Sequence, residues 1–234
     1  MIDSLPNYIS IIFILTTFLT VGFIFYAVRR TCPETVLAKI LLFLLPFWLF
    51  FQAVLSLKGF YLKTDALPPR LFLFAVLPAL LLVILLFIFY SESFVSKLSL
   101  KTLTLLSVIR IPVEIVLYWL FVAGQIPQLM TFEGRNFDIL SGVIAPLVAL
   151  LAFSNGKANR ILLIVWNVFG LLLLLNIVVT AAFSLPSPMQ QFAFEQPNRA
   201  VLYFPFVWLP AVVVPIVLFS HLASLRQLFS DKLE

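Results

Sequence analysis

Charge is scarce in this 234-residue chain: Asp, Glu, Lys and Arg together make up 11%. A soluble domain carries about 25% of such residues, so most of this chain is built to avoid water. Cysteine occurs once, at Cys32, which excludes an internal disulfide. Cys32 sits in "RRTCPE" with no base nearby, which argues against cysteine catalysis. Histidine also occurs once, at His221, so bis-histidine haem is excluded. No lysine lies inside the last apolar run, as a retinal Schiff base would need. Zinc-hydrolase, nucleophile-elbow and phosphate-loop motifs are all missing. The formal net charge of +5 comes from basic residues scattered singly between apolar runs, a membrane pattern and not a nucleic-acid surface.

What is present is apolar: 63% of the residues are hydrophobic and the mean hydropathy is +1.15. A run of about 20 such residues crosses a bilayer's hydrocarbon core. Seven runs qualify, at 8–28, 36–57, 71–90, 103–123, 139–153, 161–183 and 200–225, the fifth being the shortest. The connecting segments are short, so no soluble domain fits between them. The expectation is an all-α fold, one polytopic membrane bundle of about seven helices spanning 1–234. Asp3 is the only charge before the first run and Arg29–Arg30 follow it, the reverse of a cleavable signal peptide. One side collects Arg29, Arg30, Lys39, Lys97, Lys101, Lys157, Arg160, Arg226 and Lys232; the other collects Lys58, Lys63, Arg70, Arg135 and Arg199. The richer side is expected in the cytoplasm, with the N-terminus outside and the C-terminus inside.

The fourth run contains "VIRIPVEIVLYWL", with Arg110 and Glu114 one turn apart and Pro112 between them. Each charge at a span centre costs about 2.5–3.5 kcal/mol, and the apolar residues of 103–123 offset about 4–8 kcal/mol. Alone, this helix is marginal. On a helical wheel Arg110, Glu114, Ser107, Gln125 and Tyr118 fall within an arc of about 80°. Such a stripe faces other helices or a watery cavity, not lipid. Pro112 is expected to kink the helix, freeing the Val108 carbonyl as an acceptor for Arg110. The pair either neutralises itself and clamps its neighbours, or forms part of a ligand or ion site.

Other polar groups lie along the remaining runs. Asn167 and Asn176 occupy opposite faces of the sixth, and Gln52 lies in the second; buried amides of this kind usually join helices. Pro205, Pro210 and Pro215 predict a bent or unwound seventh run, with His221 near its inner end. Arg110, Asn167 and His221 would together make an inner polar cluster. The outer loops carry "MTFEGRNFDIL", with Glu133, Arg135, Asn136 and Asp138, and a second set with Glu195 and Arg199. Their mixture of polar and aromatic groups suits interfacial anchoring or a lid over the bundle. Asn136 or Asp138 is placed to cap the fifth run. The carboxylates Glu133, Asp138 and Glu195 lack the spacing of a metal site.

"RIPVEIVLYWL", "TFEGRNFDILSG" and "FEQPNRAVLYFPFVWLPAVVVPIVLFSHL" resemble segments of a widespread, uncharacterised family of bacterial multi-pass membrane proteins. The likeness covers about residues 108–228. It implies a bacterial inner membrane and carries over no functional residue.

Three functions fit these residues. The first is binding or transport of a small solute, ion or lipid along the span-four stripe. There Arg110 holds an anionic group, Glu114 balances charge or carries a proton, and Ser107, Tyr118, Asn167, Asn176 and His221 line the way. The second is a structural subunit with a membrane-protein partner or a second copy of itself. The third is an enzyme acting on a lipid-linked substrate through Glu133, Asp138 or Glu195. The balance of residues is against an enzyme, and no catalytic residue, metal or cofactor is assigned. The expected surroundings are the lipid bilayer, with no nucleic acid.

Overall fold

The computed structural model describes residues 2, 5–31, 35–154 and 158–230. The loop with Cys32, and Asp3, Lys157 and Lys232 of the charge pattern, lie outside them. Among the described residues the ordered elements are all helical. The α-helices are α1 (Asn7–Thr31), α2 (Val36–Leu57), α3 (Leu77–Tyr90), α4 (Leu100–Leu106), α5 (Arg110–Val122), α6 (Ile139–Ala152), α7 (Arg160–Phe183) and α8 (Val214–Leu228). A 3-10 turn, Ser107–Ile109, joins α4 to α5, and π-helical turns Phe72–Val76 and Leu209–Val213 lead into α3 and α8. Six helical stretches are long and apolar enough to cross a membrane: Asn7–Thr31, Val36–Leu57, Phe72–Tyr90, Leu100–Val122, Arg160–Phe183 and Leu209–Leu228. This is a multi-pass membrane bundle. Short polar side chains set several starts: Thr35, Ser99 and Asn159 accept from the amides of Ala38, Thr102 and Leu162, satisfying donors that the first helical turn leaves free.

The fifth apolar run falls short of the six long stretches. With 14 residues α6 is about 21 Å long, short of a hydrocarbon core of about 30 Å. The chain between α5 and α6 makes up the difference as irregular backbone folded into the bundle. There Ile126, Met130, Thr131 and Asn136 are buried. Irregular backbone survives at such depth only where protein surrounds it. Three expectations change accordingly. Gln125 lies beyond the end of α5, so it leaves the polar stripe. Residues 200–207 form a 3-10 turn followed by a bend and turns, so the long apolar stretch begins at Leu209 and not at Ala200. Asn136 and Asp138 are buried inside the bundle, not displayed on an outer loop.

Prolines shape the other half. Pro78 and Pro215 each follow a π-helical turn, and neither can donate to the carbonyl four residues before it. Those carbonyls belong to Phe74 and Ala211. Helix α2 supplies both missing donors: Gln52 Nε2 reaches Phe74 O at 2.8 Å and Trp48 Nε1 reaches Ala211 O at 3.0 Å. The Gln52 Oε1 in turn accepts from the buried Tyr61 hydroxyl. Gln52 therefore joins helices, as its position in an apolar run suggests.

Candidate functional site

Buried polar side chains of α5, the segment before α6, α7 and α8 meet inside the bundle. Arg110 opens α5 immediately after the 3-10 turn, and its guanidinium is buried. Its carboxylate partner is Asp138, with Nη1 to Oδ1 at 2.7 Å. Asp138 stands just before α6, and its side chain does not cap that helix. The guanidinium also donates to the Gly170 carbonyl on α7, at 3.3 Å and 3.4 Å. The expectation that Pro112 frees the Val108 carbonyl for Arg110 is replaced by this reach to a neighbouring helix.

Arg110 Nη2 lies 3.0 Å from His221 Nε2, and His221 Nδ1 lies 2.8 Å from Asn167 Oδ1. Asn167 Nδ2 donates to the Leu163 carbonyl, which fixes its Oδ1 as an acceptor. His221 Nδ1 must then carry the hydrogen, leaving Nε2 to accept from a guanidinium that can only donate. The geometry specifies one neutral tautomer. The expected cluster of Arg110, Asn167 and His221 is present, with Asp138 added.

Glu114 sits one turn along α5 from Arg110. Its Oε1 accepts from Asn136 Nδ2 at 2.6 Å, and the same amide nitrogen lies 3.1 Å from the Met130 carbonyl. Asn136 Oδ1 accepts from the Asp138 amide, so one asparagine fixes Glu114 and the lead-in to α6 together. Arg110 and Glu114 are thus neighbours with separate principal partners. Among the described residues, the buried Glu114 Oε2, Arg110 Nε, Ser107 Oγ and Ser141 Oγ have no hydrogen-bond partner. Buried polar atoms are rarely left so.

Two glycines permit this packing. A Cβ on Gly170 would stand 2.5 Å from the His221 ring, so glycine lets the imidazole lie directly on α7. A Cβ on Gly142 would stand 2.7 Å from Ile111 and 3.3 Å from the Ser107 carbonyl, so glycine brings α6 against the 3-10 turn. Sequence reading passed over both. Their signal was weak: a small residue in an apolar run, the common mark of close helix approach in membranes.

The remaining candidates lie apart from the centre. Tyr118 is half-buried and stacks on Phe132, with ring centroids 5.1 Å apart. Asn176 is exposed on the other face of α7, where it donates to the Arg135 carbonyl at 2.8 Å and ties down the irregular segment. Glu133, Arg135, Glu195 and Arg199 are exposed. Glu195 lines a recess of about 270 Å³ with Gln128, Gly134 and Gln196. Asp138 is held by Arg110, so it does not join Glu133 and Glu195 at a surface. Among the described residues no group of three or more His, Cys, Asp or Glu is arranged to hold a metal ion.

The family described as a domain of unknown function (DUF8737) matches residues 68–229, and the chain belongs to it. The matched part holds every residue of the polar centre and leaves out α1 and α2. No curated protein and no solved structure matches the chain.

Proposed function

We propose that this membrane protein binds a small charged species at the polar centre and passes it through the bundle. The charge balance favours a proton or a monovalent cation. The charge count around Arg110 carries the reading. One guanidinium faces two buried carboxylates, Asp138 at 2.7 Å and Glu114, while His221 is neutral. The centre becomes electroneutral with one added positive charge, either a proton or a cation beside Glu114 Oε2. Isolated charges are costly at such depth, and ionisable groups there commonly mark ion or proton routes. The interrupted fifth crossing supports the same reading, since discontinuous helices in transporters meet their ions at the break. The recess beside Glu195 belongs to the segment that carries Asn136, and it offers an approach from the loop-rich end. The distribution of Lys and Arg supports an outward-facing position for that end, in what we take to be a bacterial inner membrane.

The test is flux into vesicles. Purified protein is reconstituted with an internal pH or sodium indicator, and a gradient of each ion is imposed. Flux above protein-free vesicles is expected, with Glu114→Gln reducing it at least tenfold while the protein stays folded. No flux of either ion, or equal flux through the variant, would overturn the reading.

A structural subunit is the second reading. It is favoured by the number of helices that Arg110 ties together, with Asp138, Gly170 and His221 as its partners. It predicts a protein partner retained through gentle purification and flux indistinguishable from empty vesicles.

A further inference from the structure

On the opposite side of the bundle α1, α2, α3 and α8 enclose a pocket of about 370 Å³. Its walls include Trp48, Pro78, Ala79, Leu82, Pro215 and Phe219. It runs from the level of Pro78 and Ala211 towards Leu86 and Phe219, about 12 Å by helical rise. Its origin is the paired defect described above: a π-helical turn followed by proline in both α3 and α8 stops the two helices from packing regularly.

We infer that this pocket is a site for an anionic phospholipid, one acyl chain lying between α2 and α3 and its headgroup at the basic end of the bundle. Three observations lead there. The walls are almost wholly apolar, and such a cavity offers water no partners. Phe43 and Phe47 on α2, and Ile84 and Ile88 on α3, alternate with wall residues such as Leu44, Trp48, Val83 and Leu85 and are exposed, so the pocket walls border a surface suited to bilayer hydrocarbon. The chain segments at the end to which it descends carry nine Lys and Arg in the sequence, against Glu34, Glu92, Asp231 and Glu234. Of these, Arg29 and Arg30 close α1 shortly after Ile24, and Lys39 precedes Leu41 on α2; Ile24 and Leu41 are both pocket walls. Basic residues at a membrane surface attract anionic lipid.

Trp48 makes the site readable. The full chain and its Trp48→Phe variant are reconstituted in phosphatidylcholine vesicles, and the difference in their fluorescence isolates Trp48. Phosphatidylglycerol with brominated chains, which quench tryptophan on contact, is compared with brominated phosphatidylcholine. Quenching is expected at an about fivefold lower fraction of the anionic lipid for each basic residue engaged. Arg29→Gln with Lys39→Gln should shrink that preference, and Ala79→Phe, which fills the pocket, should remove the quenching. Equal quenching by both lipids would overturn the proposal, as would unchanged quenching in a folded Ala79→Phe protein. Native mass spectrometry of the unaltered chain from a mixed bilayer gives a second measure that needs no variant. Retained phosphatidylglycerol supports the site; no lipid, or phosphatidylcholine alone, refutes it. Neither readout depends on Glu114 or on flux.

Discussion

The two sides of the bundle solve the same problem with different chemistry. On one side α5, the segment before α6, α7 and α8 bury ionised and amide side chains that reach one another across four elements. On the other, α2 meets the stretches that lead into α3 and α8 mainly through apolar groups and side chain–backbone hydrogen bonds from Trp48, Gln52, Ser56 and Trp208. In Phe72–Tyr90 only 22% of the most apolar stretch is buried inside the protein, against 67% in Leu209–Leu228. The lipid-facing side has mainly its backbone to satisfy, and α2 does so for the carbonyls of Phe74 and Ala211. The polar side buries charged groups, which carry a larger desolvation cost than apolar contacts. The matched residues 68–229 keep all of the polar centre together with α3, and omit α1 and α2.

The contrast can be broken by mutation. Arg110→Ala should have the largest effect, because it strands Asp138 and Glu114 as buried carboxylates. Removing one partner of a buried pair costs about 3–5 kcal/mol, read as the drop in unfolding free energy in mixed micelles. A drop below about 1 kcal/mol, the size of an exposed ion pair, would erase the distinction. Gly170→Ala comes next. It pushes a methyl into the His221 ring and should cost about 1–3 kcal/mol, whereas Gly22→Ala in α1 meets nothing within 4 Å and should be tolerated. Equal effects at the two glycines would remove the case for close packing at the centre.

On the lipid-facing side Trp48→Phe frees one carbonyl, and Gln52→Leu frees one carbonyl and the buried Tyr61 hydroxyl. Trp48→Phe should cost about 0.6–1.7 kcal/mol, the range of single hydrogen bonds measured in membrane proteins, and Gln52→Leu about twice that. Losses as large as that of Arg110→Ala would show that the two sides carry comparable loads. Glu114→Gln should change stability least, by under about 1 kcal/mol, because glutamine keeps an oxygen for Asn136 and an amide is cheaper to bury than a carboxylate. A large loss of stability there would move Glu114 from the proposed pathway into the scaffold.

Much of this was legible in the residues, for stated reasons. Apolar runs of the length of a bilayer marked Val36–Leu57 to the residue and Arg160–Phe183 to within one. The 3.6-residue period placed Ser107, Arg110 and Glu114 on one buried face. The cluster of Arg110, Asn167 and His221 followed from their matching heights in the spans. Asp138 was harder. It lies 28 residues from Arg110 across a segment with the composition of a surface loop, and nothing local says that the segment turns inward. The one clue was the fifth apolar run itself, too short to cross the hydrocarbon as a helix.

The sequence by itself determined that the chain is a membrane bundle and which face of the fourth span is polar. Both follow from patterns that repeat within one or two turns and from the cost of placing charge in hydrocarbon. Only the tertiary structure decided which carboxylate answers Arg110, which tautomer His221 holds, and where proline carbonyls find donors. Those outcomes depend on groups 22 to 163 residues apart, brought together by how closely the helices approach, and glycine and proline control that approach without any local signature of their partners.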